Sequence, residues 1–153
     1  MSERYVSSIF CDDIRQEVGN KLSYMGIYQN DLVVPHVPFV LPKLCVIVYA
    51  TTPWDRPFKN ATVRIQTDNE ILAELQVASE AVEASQNTII ANSDGSKKED
   101  KRLMLAAVIS ISQLIIKESS IIRVRVITES EELKGHGLAI KVAAPVIRQE
   151  PTP

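Results

Sequence analysis

Alternation of apolar and polar residues with a period of two is the feature that most constrains this chain. The alternation runs through Ala61–Gln66 and returns over Ile71–Val77. A period of two places apolar side chains on one face of a β-strand. Asp68 and Asn69, which separate the two segments, are typical turn residues. Together the segments predict a β-hairpin.

Other apolar or alternating segments predict further strands. They are Tyr5–Cys11, Lys21–Gln29, Leu44–Ala50, Thr88–Ala91, Leu103–Ile116, Ile122–Val126 and Leu138–Val142. Leu103–Ile116 is long enough for a helix, but its β-branched, alternating centre favours a strand. Asp12–Asn20 is expected to be a polar connection. Gly26 inside a strand indicates a bulge or a close backbone approach.

These elements predict an all-β fold, an antiparallel β-sandwich of about eight short strands, either Ig-like or C2-like. A chain of 153 residues fits one domain. We assign that domain to residues 1–144. It contains a polar insert at 80–100, expected to be a long loop. Residues 145–153, rich in proline, are expected to form a disordered tail.

The beginning of the chain carries a recognisable pattern. Strand residues lead to Cys11-Asp12-Asp13-Ile14-Arg15, and Gly19, Lys21, Leu22, Gly26 and Tyr28 follow at fixed spacing. This pattern resembles the N-terminal signature of a family of small uncharacterised bacterial and phage-borne β-sandwich proteins. The resemblance implies a sandwich over most of Tyr5–Val142. It supplies no function, since none is known for that family. The insert at 80–100 departs from the pattern.

No catalytic or cofactor motif is present. A glycine-rich phosphate loop and a Gly-x-Ser-x-Gly elbow are both missing, and the chain has only five glycines. Cys11 and Cys45 lie in apolar runs and are expected to be buried, reduced core residues. His36 and His136 lack the spacing of zinc ligands. We therefore expect no enzyme activity, no metal and no cofactor.

Two short groups are the candidate interaction residues. Trp54, the only tryptophan, lies in a proline-flanked loop beside Asp55 and Arg56. An exposed aromatic residue next to an arginine is typical of a protein-binding hot spot, although Trp54 could instead cap one end of the sandwich.

The second group is Asp12, Asp13 and Arg15. With Glu17 its carboxylates could join a cation site. They could equally cap a turn by accepting backbone N–H groups, while Arg15 pairs with a neighbour.

The net charge and the apolar segments argue against two classes of partner, nucleic acids and membranes. The net charge of −2 gives no basic face for nucleic acid, and no apolar run approaches the roughly 20 residues of a membrane helix. We expect a cytoplasmic, non-catalytic protein-binding module that also forms a homo-oligomer. Because the family that this chain resembles includes phage-borne proteins, the resemblance implies one specific form of this binding function: inhibition of a host bacterial defence protein. The alternatives are a small-ligand or Ca²⁺-binding sandwich and a structural subunit of a phage or bacterial assembly.

Overall fold

The chain folds into two packed β-sheets, which confirms the all-β sandwich. The computed structural model describes residues 3–85, 87–90 and 101–144. Its elements are β1 (Tyr5–Glu17), β2 (Lys21–Ile27), β3 (Leu32–Val34), β4 (Phe39–Pro53), β5 (Ala61–Gln66), β6 (Ile71–Val77), α1 (Ser79–Ser85), β7 (Asn87–Ile90), β8 (Lys101–Ile116), β9 (Ser120–Thr128), β10 (Glu132–Lys134) and β11 (Leu138–Val142). In the described part of the chain, no helix is long and apolar enough to span a bilayer.

The two sheets differ in the order of their strands. One sheet has five strands in the order β2-β1-β4-β8-β7, and the other has the order β3-β11-β9-β5-β6 with β10 beside β9. All pairs are antiparallel except β3 with β11. The predicted hairpin is confirmed, since β5 pairs with β6 from Ala61 opposite Val77.

The core lies between the two sheets. Alternate residues of β4, from Leu44 to Ala50, face it, and Val63 and Ile65 of β5 close it from the other sheet. Burial of a Val, Leu or Ile side chain contributes about 1.5–3 kcal/mol, so this layer is the main source of stability. Leu44–Ala50, which the sequence predicts as a strand, is thus buried on both faces, with Tyr49 half-buried.

A smaller apolar cluster covers the outer face of the five-stranded sheet. Cys11 of β1 lies opposite Cys45 of β4, and both are fully buried with free thiols. Tyr24 and Tyr49 pack against this cluster, and their hydroxyl oxygens are 2.5 Å apart. Burial, together with this hydrogen bond, raises the pKa of Tyr24 to about 12. Burial also raises the pKa of the Cys11 thiol.

Three predicted elements are corrected. The described residues form eleven strands and not about eight short ones, and β1, β4 and β8 are long, of 13, 15 and 16 residues. The predicted connection Asp12–Asn20 is wrong, because β1 runs on to Glu17 by pairing with β2. The predicted loop at 80–100 is wrong at its start, where Ser79–Ser85 forms a helix that buries Val82. Residues 86 and 91–100 of that insert, and the predicted tail at 145–153, lie outside the described residues.

Candidate functional site

The two groups of candidate residues lie at opposite ends of β4. Asp13 contacts Lys43 near the beginning of that strand, whereas Trp54 follows directly after Pro53 at its end. Ten residues of β-strand separate these points by roughly 33 Å. The structure therefore does not bring the two groups into one site.

The Asp12 side chain contacts the end of β2 and the residue that follows this strand. Tyr28 donates its hydroxyl hydrogen to Oδ1 of Asp12 over 2.6 Å. Gly26 adopts a φ of 67°, and a Cβ atom at this position would overlap the Asp12 carboxylate. The close approach predicted for Gly26 is confirmed, and the missing Cβ leaves room for the Asp12 carboxylate against the backbone of β2. Burial and the bond to Asp12 raise the pKa of Tyr28.

Asp13 is engaged by a cation of the protein itself. Its Oδ1 accepts hydrogen bonds from Nζ of Lys43 over 2.5 Å and from the backbone N–H of Ile14 over 2.9 Å. These bonds, with that from Lys43 the stronger, lower the pKa of Asp13. Arg15 lies 3.5 Å from Glu17. Across the described part of the chain, no group of three or more His, Cys, Asp or Glu side chains is placed to hold a metal ion.

The loop after β4 presents the second group to solvent. The Trp54 side chain remains 42% exposed, and Asp55 and Arg56 are exposed beside it. The backbone of this loop is tied down, because Trp54 N–H donates to the carbonyl of Lys101 over 3.1 Å. Arg56 N–H likewise donates to the carbonyl of Pro53 over 3.1 Å, which closes a tight turn.

The buried side chain of Arg4 holds the backbone of this loop in place. Its side chain is only 1% exposed, and its guanidinium donates to the carbonyls of Arg56 over 3.1 Å and Pro57 over 3.2 Å. It also stacks over the ring of buried Phe58, 4.6 Å from the ring centroid. Its other acceptors are Thr52 Oγ1, Thr128 Oγ1, Ser130 Oγ and Glu129 Oε1. All five N–H donors of a guanidinium thus have acceptors within reach.

Two glutamates of the neighbouring turn complete the network. Glu129 lies 2.6 Å from Arg4 and accepts the N–H of Lys59 through its other oxygen. Burial disfavours the charged form of Glu129, but the bonds from Arg4 and Lys59 outweigh it and lower its pKa. Glu131 lies 3.2 Å from Arg56. The loop is therefore held at its backbone while its outer side chains stay accessible.

The residues that position this loop were not found from the sequence. Arg4 is separated from its side-chain partners by 48 to 126 positions. An arginine directly before a strand is ordinary at the surface of a β protein, so its neighbours in sequence give no signal. Only the meeting of β1, β4 and the turn after β9 reveals its role.

Fold and surface together define an all-β sandwich with one braced aromatic loop. A model of a family of unknown function, DUF6941, matches residues 6–142, and the chain belongs to that family. Among curated proteins no match is found. One similar solved structure is the C-terminal domain of the Streptococcus pyogenes antigen I/II-family protein AspA, with 10% identity and a TM-score of 0.47. The similarity covers 92% of this chain and 47% of that one, so the chain spans about half the length of that structure.

Proposed function

We propose that this protein is a non-catalytic protein-binding module that engages its partner through the loop of Trp54, Asp55 and Arg56. The observation that carries the proposal is the bracing of this loop by a buried arginine. Trp and Arg are the side chains most enriched at binding hot spots, and here they stand together on one fixed turn.

The bracing has an energetic consequence for binding. A loop that must order on association loses about 0.5–1.5 kcal/mol for each side chain it immobilises, and further free energy for its backbone. Here the Arg56 and Pro57 carbonyls are already bonded to Arg4, and Thr52 Oγ1 donates to the Arg56 carbonyl over 2.6 Å. Less conformational entropy remains to be lost when a partner covers Trp54.

The residues of the loop indicate the chemical character of the partner's surface. Asp55 and Arg56, which follow Trp54 in the loop, carry opposite charges, and Arg56 is already paired with Glu131. Such a surface fits a protein with an apolar pocket and a polar rim. Inhibition of a defence protein of a bacterial host is the finer version that the resemblance to phage-borne proteins implies. The two buried free cysteines favour a reducing compartment such as the cytoplasm.

The test is capture of a partner by the tagged full chain and by two variants. Trp54→Ala removes the indole from the loop. Leu22→Ala removes a comparably exposed apolar side chain at the far end of the molecule, where Leu22 is 46% exposed on β2. We expect one stoichiometric protein to bind the wild type and Leu22→Ala but not Trp54→Ala, with similar melting temperatures for all three. Equal retention by Trp54→Ala would exclude the loop as the binding surface.

A further inference from the structure

A cavity opens at the end of the sandwich where the turn between β5 and β6 meets the turn between β8 and β9. Its volume is about 200 Å³, and a second cavity of about 280 Å³ adjoins it. At about 30 Å³ for each molecule of liquid water, the first cavity has room for a ligand of roughly seven to nine heavy atoms. The floor consists of apolar side chains from three strands: Leu72, Leu114, Ile116 and Ile140.

The backbone of β8 changes its alternation to supply this floor. Ile111 packs against the core between the sheets, and the next residue of β8 that is buried there is Leu114, three positions later. The change occurs at Gln113, whose φ of 51° lies in the left-handed region that residues other than glycine rarely adopt. Pro42, which has no N–H to donate, lies opposite Gln113 in the register of β4 and β8. Strained residues of this kind concentrate at ligand-binding sites, and here the strain turns Leu114 into the cavity.

The rim of the cavity carries one unpaired carboxylate and one unpaired ammonium group. Glu70 precedes β6 and Lys117 follows β8, and these two exposed residues line both cavities. Among the described residues neither has an ion-pair partner, and they are not paired with each other. Glu118, the other charged residue of the described lining, is engaged, because its Oε1 accepts a hydrogen bond from Nδ2 of Asn69 over 2.8 Å. That bond ties the two turns together across the rim.

The backbone on the β6 side of the rim is fixed before any ligand arrives. The N–H of Thr67 donates to the carbonyl of Glu70 over 2.9 Å, and the N–H of Glu70 donates to Oγ1 of Thr67 over 3.3 Å. The carboxylate of Glu70 therefore extends from an ordered turn. Ser120, the first residue of β9, adds a hydroxyl group to the lining.

We propose that this cavity binds a small zwitterion, namely a free α-amino acid with a branched apolar side chain such as leucine. The ammonium group of the ligand pairs with Glu70 and its carboxylate pairs with Lys117, while its side chain lies on the apolar floor. Apolar walls with a few placed polar groups are the usual form of a small-molecule site. An amine or a carboxylate alone leaves one charge of the rim unused. The site is separate from the Trp54 loop, which lies at the opposite end of β4.

The experiment is a titration of the full chain followed by the chemical shifts of its backbone amides. The probes are L-leucine, 3-methylbutan-1-amine, which lacks the carboxylate, and 4-methylpentanoate, which lacks the amine. Glu70→Gln and Lys117→Met each remove one charge of the rim. Glu83→Gln and Lys134→Met are the matched controls, since both residues are exposed on other elements, α1 and β10.

We expect L-leucine to bind the wild type and both controls with a Kd below about 1 mM and to shift amides of the two turns around the cavity. Each rim variant should bind L-leucine at least about tenfold more weakly. Glu70→Gln should also weaken binding of the amine but not of the carboxylate, and Lys117→Met should do the reverse.

Three results would overturn the proposal. The first is the absence of saturable binding of L-leucine by the wild type up to about 20 mM, well above the expected Kd. The second is equal affinity of the wild type and both rim variants for L-leucine. The third is a set of shifted amides that lies away from the two turns, or equally tight binding of L-leucine and one of the two singly charged probes.

Discussion

Replacement of Arg4 by alanine tests whether one buried side chain holds the presented loop. The change removes every hydrogen bond of the guanidinium, including those to the Arg56 and Pro57 carbonyls. It also leaves Glu129 without the cation that lies 2.6 Å away. The ring of Phe58 loses its covering group, which stacks 4.6 Å from the ring centroid. Stability and loop order should therefore fall together.

The expected magnitude follows from burial. Breaking a buried ion pair by removing one partner costs about 3–5 kcal/mol, because the other charge is left without compensation. The Arg4 side chain is 1% exposed, but that of Glu129 is 20% exposed and regains water when the arginine is absent. We therefore expect the lower end, a loss of about 3 kcal/mol. At roughly 2–4 °C per kcal/mol for a chain of this size, Tm should fall by about 6–12 °C.

The assay is urea unfolding, with the fluorescence of the single tryptophan as a second reading of the native state. In native Arg4→Ala the emission of Trp54 should become more accessible to a soluble quencher, since the loop backbone loses its donors. Arg64→Ala is the control: Arg64 lies 2.7 Å from Glu74 in a more exposed pair, which should contribute no more than about 1 kcal/mol. If Arg4→Ala cost no more than this control and left quenching unchanged, the bracing argument would be refuted.

Three further predictions follow from single contacts. Gly26→Ala should lose about 1–3 kcal/mol in urea unfolding, because it forces a side chain into a positive φ and against the Asp12 carboxylate; an unchanged midpoint would show that β2 adapts freely. Tyr49→Phe should lower the pKa of Tyr24 from about 12 in an ultraviolet titration but leave it above its ordinary value of 10.0, since burial remains; a titration identical to that of the wild type would contradict the hydrogen bond. Because the folded pKa of Glu129 lies below its ordinary 4.5, its contribution to stability is present above that pH and is lost as pH falls through the folded value; the stability gap between wild type and Glu129→Gln should close there, and a gap that is constant with pH would contradict it.

Local pattern was sufficient for the elements whose burial alternates along the chain. β5 and β6 begin and end where the alternation does. In β5 the alternate residues Ala61, Val63 and Ile65 are buried, whereas in β6 Ile71 and Leu75 stay exposed, so the pattern located β6 although no face of it is fully buried. The apolar run in β4 likewise identifies a strand covered on both faces. The β-branched centre of Leu103–Ile116 correctly favoured a strand over a helix, and β8 extends this segment by two residues.

The errors arose where partners distant in sequence decide the structure. Asp12–Glu17 is polar and reads as a loop, but β2 pairs with it along its length and keeps it extended. Ser79–Ser85 has good helix formers but is too short to stand out, and its helix is fixed by burial of Val82.

The candidate site shows the same contrast between residues marked by local pattern and residues whose role depends on distant contacts. Trp54 stands out as a candidate in the sequence because a lone tryptophan in a proline-flanked loop is conspicuous, and the structure shows that it is exposed. Arg4 was missed because its role exists only when three distant segments meet.

The most direct test of the account is the affinity of the captured partner for the wild type, Trp54→Ala and Arg4→Ala, measured with purified proteins by calorimetry. We predict that Trp54→Ala loses at least about 2 kcal/mol of binding free energy, the range of a hot-spot residue, with little change in Tm. Arg4→Ala should bind more weakly at a temperature where it is fully folded, with a larger unfavourable entropy. Equal affinity of all three proteins would contradict the claim that a braced Trp54 loop is the binding surface.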